Sequence, residues 1–142
     1  RQERSKKFQV HTVMKTNVAI MKLFPGLNKN VLNSILKTTG LKVVILETYG
    51  SGNAPTSDWF LAGLKEAIKN GIHIINVTQC SGGSVSMGQY DTSTQLKELQ
   101  VISGKDITTE AAVTKAMYML GAEIPHKLFK TIFETSLRGE MQ

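Results

Sequence analysis

Three short runs rich in β-branched residues, at 18–24, 42–48 and 72–78, are each followed by a glycine-bearing turn, and helical patterns fill the spaces between them. A chain that alternates in this way builds a parallel sheet, because a strand can rejoin its neighbour in the same direction only through a crossover helix. The second run contains Val43, Val44, Ile45 and Leu46, apolar on both faces, as in a strand covered by helices on each side. The expected fold class is therefore α/β: a small, doubly wound, flavodoxin-like and mostly parallel sheet flanked by helices. Its turns should gather at the carboxyl edge, where such folds bind ligands.

Local signals place the helices. Asn28 is a plausible N-cap for a helix with Val31, Leu32, Ile35 and Leu36 on its apolar face, and Gly40 lies just beyond its end. Ser57 is placed to cap a second helix that buries Phe60, Leu61, Leu64, Ala67 and Ile68 and stops at Asn70-Gly71. After the third strand, residues 79–93 are polar and too long for an ordinary connection, which marks them as a functional loop. A short apolar piece follows at 99–102. Thr108 then caps a helix with Glu110 in its first turn and Ala112, Val113, Ala116, Met117 and Leu120 inward. Pro125 opens a last helix, lined by Leu128, Phe129, Ile132 and Phe133, that runs to about Arg138-Gly139.

Composition narrows the function classes. Residues 1–7 hold four basic side chains and one glutamate, half of the net charge of +6, so the rest of the chain is only mildly basic. No basic stripe is interleaved with aromatics, which argues against nucleic-acid binding. Cys80 is the only cysteine, so no internal disulfide can form and a reducing, cytoplasmic compartment is expected. No apolar run is long enough to span a bilayer, and the first residues do not read as a signal peptide. The chain opens on Arg1 in a charged segment, which suggests a piece of something longer, with 1–16 as a linker or tail and 17–142 as one α/β domain.

The turn after the second strand, Gly50-Ser51-Gly52-Asn53-Ala54-Pro55, carries an amide and no lysine, aspartate or histidine, which suits recognition of a polar ligand over independent chemistry. It is not a dinucleotide fingerprint, since Pro55 stands where the third glycine belongs, and no Lys-Ser/Thr pair makes it a P-loop. A bare structural turn is the plainer alternative. Cys80 lacks a basic neighbour in sequence and reads as a small, inert, half-buried thiol. Glu47, a carboxylate ending a buried strand, needs a partner, either structural or a ligand. His11, His73 and His126 lack metal-ligand spacing, and no cofactor or metal is expected. These residues contain no catalytic constellation.

Four segments in order resemble the C-terminal domain of type I (cytoplasmic) L-asparaginases. They are Gly50-Ser51-Gly52-Asn53-Ala54-Pro55, Asn76-Val77-Thr78-Gln79-Cys80, Met87-Gly88-Gln89-Tyr90 and Leu137-Arg138-Gly139-Glu140-Met141. The resemblance implies a larger N-terminal partner domain that holds the threonine nucleophile, a second threonine and an Asp-Lys pair, and hydrolyses L-asparagine to L-aspartate and ammonia. It also implies a homodimer or tetramer in which Asn53, with Gly52 and Ser51, reaches the neighbouring subunit's substrate. Thr78, Gln79 and Cys80 match a segment near which some relatives bind a second asparagine as effector. Glu47, however, stands where those sequences carry an arginine suited to a carboxylate, and an acidic group there repels one.

A different class remains open on the residues alone: a stand-alone flavodoxin-like ligand-binding or regulatory module. A receiver domain needs aspartates at the end of the first strand, and Lys22-Leu23-Phe24-Pro25 has none. A flavin module needs a hydroxyl-rich phosphate loop there, and Pro25-Gly26-Leu27 is a poor one.

Overall fold

The computed structural model describes residues 9–88 and 91–142. The basic segment at 1–7, and Gln89 and Tyr90 of the third resembling segment, lie outside the described residues. The elements run β1 (Val18–Lys22), α1 (Lys29–Leu36), β2 (Val43–Thr48), α2 (Asp58–Lys69), β3 (His73–Thr78), α3 (Asp91–Glu98), β4 (Ile102–Ser103), α4 (Thr109–Gly121) and α5 (His126–Phe133). All four strands are parallel, in the order β1-β2-β3-β4, with Ile20 beside Ile45 and Ile45 beside Ile75 in the central register.

The α/β class and the parallel sheet with helices on both faces are as the sequence indicates. The winding is simpler than in a flavodoxin: the chain steps across the sheet in one direction, with no reversal of strand order among the described residues. One apolar cluster joins β1 and β2 to α1, α2 and Leu96 of α3 through Met21, Leu32, Val44, Leu46, Phe60 and Leu64. The other lies across the sheet and joins Val43, Ile45, Ile75 and Val77 to Ala112, Ala116, Met119, Phe129 and Phe133. Successive residues of β2 thus alternate between two cores, which is why all four of its first residues are buried.

Two caps form as read. Asn28 accepts from the Val31 amide at 3.1 Å, and Thr108 accepts from Ala111 at 3.2 Å. Ser57 occupies the N-cap position of α2, but its hydroxyl makes no capping bond. The long loop after β3 is shorter than expected, because Asp91–Glu98 folds as α3, a polar helix that buries only Ser93 and Leu96 among its described side chains.

α5 stops at Phe133, short of Arg138. The backbone carbonyls of Glu134 and Thr135 are taken instead by Lys105 Nζ and Lys115 Nζ, each at 2.7 Å. Residues 134–142 therefore leave the helix and run back along α4. The buried face of α4 is Ala112, Lys115, Ala116 and Met119, so the inward residues read as Val113, Met117 and Leu120 are only half-buried. Lys115 accounts for the shift: its side chain is 4 % exposed, and its ammonium pairs with Glu140 at 2.5 Å and lies over the Phe133 ring.

At the amino end of β3, the His73 ring stacks between His126, 4.3 Å away, and Phe129, 3.9 Å away. Burial, with the His126 charge adding to it, lowers the His73 pKa to about 4. Below the usual imidazole pKa the unfolded chain takes up a proton that folded His73 refuses. Stability should therefore fall as pH drops from 6.5 toward 4. His73→Phe keeps the stack and should flatten the fall in melting temperature between pH 6.5 and 5; an unchanged slope would assign it to other groups.

Candidate functional site

Parallel strands end on one edge, and the segments after β2, β3 and β4 meet there. The turn after β2 closes on itself: Tyr49 N donates to Asn53 O at 2.9 Å, Asn53 N to Tyr49 O at 2.8 Å, and Gly52 N to Tyr49 O at 3.0 Å. Gly52 has φ of 108°, and a Cβ there would sit 2.9 Å from Val85 Cγ1 and 3.2 Å from Asn76 Nδ2. Only glycine meets both demands without strain.

Beneath the turn lies a buried polar network. Asn76 in β3 is fully buried, accepts from Thr48 Oγ1 at 2.5 Å, and donates through Nδ2 to Gly52 O at 3.1 Å. Thr78 Oγ1 donates to Gly50 O and accepts from the Cys80 amide. Ser86 N donates to Ser51 O at 2.9 Å, and Val85 N to Lys105 O at 2.8 Å, tying the turn to the segment after β4. An amide in the middle of an otherwise apolar strand was the signal that Asn76 would be an organising residue.

The second group of residues forms a separate wall. Glu47, Thr78, Gln79 and Cys80 line one cleft of about 550 Å³ together with Asp106, Thr109 and Glu110. Glu47 is half-buried and accepts from Thr109 Oγ1 at 2.7 Å, so its partner comes from the first turn of α4. Gln79 Nε2 donates to Leu23 O at 2.7 Å and Glu47 O at 3.0 Å, bracing the end of the edge strand β1 against β2. Cys80 is exposed on the loop, not half-buried as read from sequence, because the chain turns outward through Ser81 and Gly82 directly after β3. Three carboxylates and no lysine or arginine line this cleft. Ser51, Gly52 and Asn53 are outside its lining and connect to it through Thr78. Among the described residues, no group of three or more histidine, cysteine or acidic side chains could hold a metal ion.

The architecture defines a helix-covered parallel α/β domain that presents a rigid, amide-bearing turn at its carboxyl edge. The chain belongs to the Glutaminase/Asparaginase C-terminal domain family, which it matches over residues 17–133. It is 37% identical over 132 residues to L-asparaginase 1 of Escherichia coli (strain K12), covering 93% of this chain and 39% of that protein. It is 37% identical over 133 residues to a human 60 kDa lysophospholipase, covering 93% of this chain and 23% of that protein. The crystal structure of L-asparaginase I from Vibrio cholerae superposes with a TM-score of 0.90 at 36% identity, over 97% of this chain and 41% of that one. The chain thus spans about two fifths or less of these relatives and corresponds to the C-terminal portion of L-asparaginases, which are amidohydrolases. Family membership favours this reading over a stand-alone flavodoxin-like module.

Proposed function

We propose that this chain is the C-terminal domain of an L-asparaginase, which converts L-asparagine and water into L-aspartate and ammonia, and that it is inactive by itself. It joins an N-terminal catalytic domain through a linker at 1–16, takes part in the subunit interface of a homodimer or tetramer, and completes the neighbour's substrate pocket. The observation that carries this reading is the Gly50–Asn53 turn, closed on itself and fixed from below by Thr48, Asn76 and Thr78. A wall that positions substrate must be rigid, and fixed hydrogen-bonding groups do this without supplying a nucleophile. Asn53 is the residue that touches substrate, supported by Gly52 and Ser51. The acidic cleft around Glu47, Thr78, Gln79 and Cys80 is a poor host for a free carboxylate, which weighs against an asparagine effector there. The resemblance to type I enzymes and the single cysteine support a cytoplasmic location.

In the two-domain protein, Asn53→Ala should lower kcat/KM for asparagine by about ten- to a hundredfold, the value of one buried hydrogen bond. Mixing Asn53→Ala subunits with subunits inactivated in the N-terminal domain should restore part of the activity if the pocket is shared. Unchanged kinetics would remove Asn53 from the site, and ammonia release by the 142-residue chain alone would overturn the reading.

A further inference from the structure

A recess of about 250 Å³ opens at the amino end of the sheet, on the edge opposite the Gly50–Asn53 turn. Its floor is apolar: Ile68 from the end of α2, Ile72 and Ile74 around the start of β3, and Ile102 of β4. Its rim carries nitrogen. His73, His126, Lys127 and Lys130 line it with the Gln100 amide, and no carboxylate does.

Neither lysine has a counter-ion among the described residues. The ion pairs among the described residues are Lys15–Glu123 and Lys115–Glu140, and neither involves them. Lys130 Nζ reaches the Val101 carbonyl at 3.5 Å, the outer limit of a hydrogen bond, and Lys127 is exposed. Gln100 also lines the recess, in the left-handed turn that ends α3, with φ of 68° and its backbone amide donating to Lys97 O at 3.0 Å. A cavity lined by one sign of charge over a low-dielectric floor concentrates ions of the opposite sign.

We infer that this recess is a binding site for a small dianion with a short apolar body, either a dicarboxylate or a monophosphate. The lysines supply charge, the histidine pair and Gln100 supply hydrogen bonds, and the isoleucines cover the carbon skeleton. His73, neutral at pH 7 because burial lowers its pKa, has one donor and one acceptor nitrogen, and a bound anion would make it more basic. The site stands apart from the asparaginase reading and does not depend on it.

Inorganic phosphate and succinate, titrated separately at pH 7 and low salt into the 142-residue chain, test this by calorimetry and melting temperature. At least one should bind and raise the melting temperature, while chloride at equal ionic strength should not. The same probe should shift the ring resonances of His73 and His126. Lys127→Gln, at an exposed position, should weaken binding about threefold, and Lys127→Gln with Lys130→Gln roughly tenfold. Binding by phosphate alone or succinate alone supports the site and names its anion. Binding by neither, an equal rise with chloride, or undiminished binding by the double variant overturns it.

Discussion

Glu140→Ala is expected to destabilise the fold by about 3 kcal/mol, the lower end of the range for breaking a buried ion pair. The Lys115 side chain is 4 % exposed and that of Glu140 16 %, so the substitution strands an ammonium in the α4 core with only the Thr135 carbonyl, Met141 Sδ and the Phe133 ring as company. Glu140 also accepts from the Leu137 and Arg138 amides, holding the returning tail in its bend. Burial pushes its carboxyl pKa up, but the Lys115 ammonium and these backbone amides outweigh burial and hold it at about 2. A carboxyl whose folded pKa is depressed stabilises above its unfolded pKa, near 4.5, and that contribution disappears as pH falls toward 2. Urea unfolding at pH 7 measures the loss, and the variant's stability should decline less than the wild type's between pH 4.5 and 2. Lys115→Met with Glu140→Leu should recover most of the loss, because replacing both partners leaves no orphaned charge. A midpoint for Glu140→Ala equal to wild type would show that water reaches the ammonium.

Gly52→Ala is expected to have a comparable effect, about 3 kcal/mol from backbone strain and overpacking together. The new methyl meets Val85 and the Asn76 amide, whose bonds to Gly52 O and Thr48 hold the turn. Pushing Asn76 aside unseats both the turn and its support. Gly50→Asn is the control: φ there is 50°, a conformation asparagine tolerates, and the nearest neighbour of a Cβ is Asn53 Nδ2 at 4.0 Å. That variant should lose about 1 kcal/mol or less. In the two-domain enzyme, Gly52→Ala should reduce kcat/KM at least as far as Asn53→Ala. Equal melting temperatures for Gly52→Ala and wild type would mean that the turn is loose, and a loose turn cannot position a substrate.

What was legible in the sequence was local or periodic. β2 announced itself by being apolar on both faces, and Asn28 and Thr108 are caps because their side chains bond amides three residues away. α3 was illegible because a helix that buries only one leucine and one serine among its described side chains has almost no apolar stripe. Lys115 hid the inward face of α4, since an ammonium reads as solvated until its partner, 25 residues later, is in place. Glu47 declared its need for a partner, yet Thr109 is 62 residues distant and nothing in the pattern links them. Residues at the carboxyl edge were found because the strand ends mark them. How Thr48, Asn76, Thr78 and Gln79 divide their hydrogen bonds depends on tertiary placement, which no spacing rule carries.

The returning tail sets a limit on how far this polypeptide can be shortened. Met141 is sequestered beside the Lys115 ammonium, and the Gln142 amide donates to Asp106 at 2.7 Å. Deleting residues 140–142 would remove the counter-charge of a sequestered lysine together with the bond to Asp106. Losing Glu140 and Met141 would thus act as an unfolding lesion, although neither belongs to the Gly50–Asn53 turn.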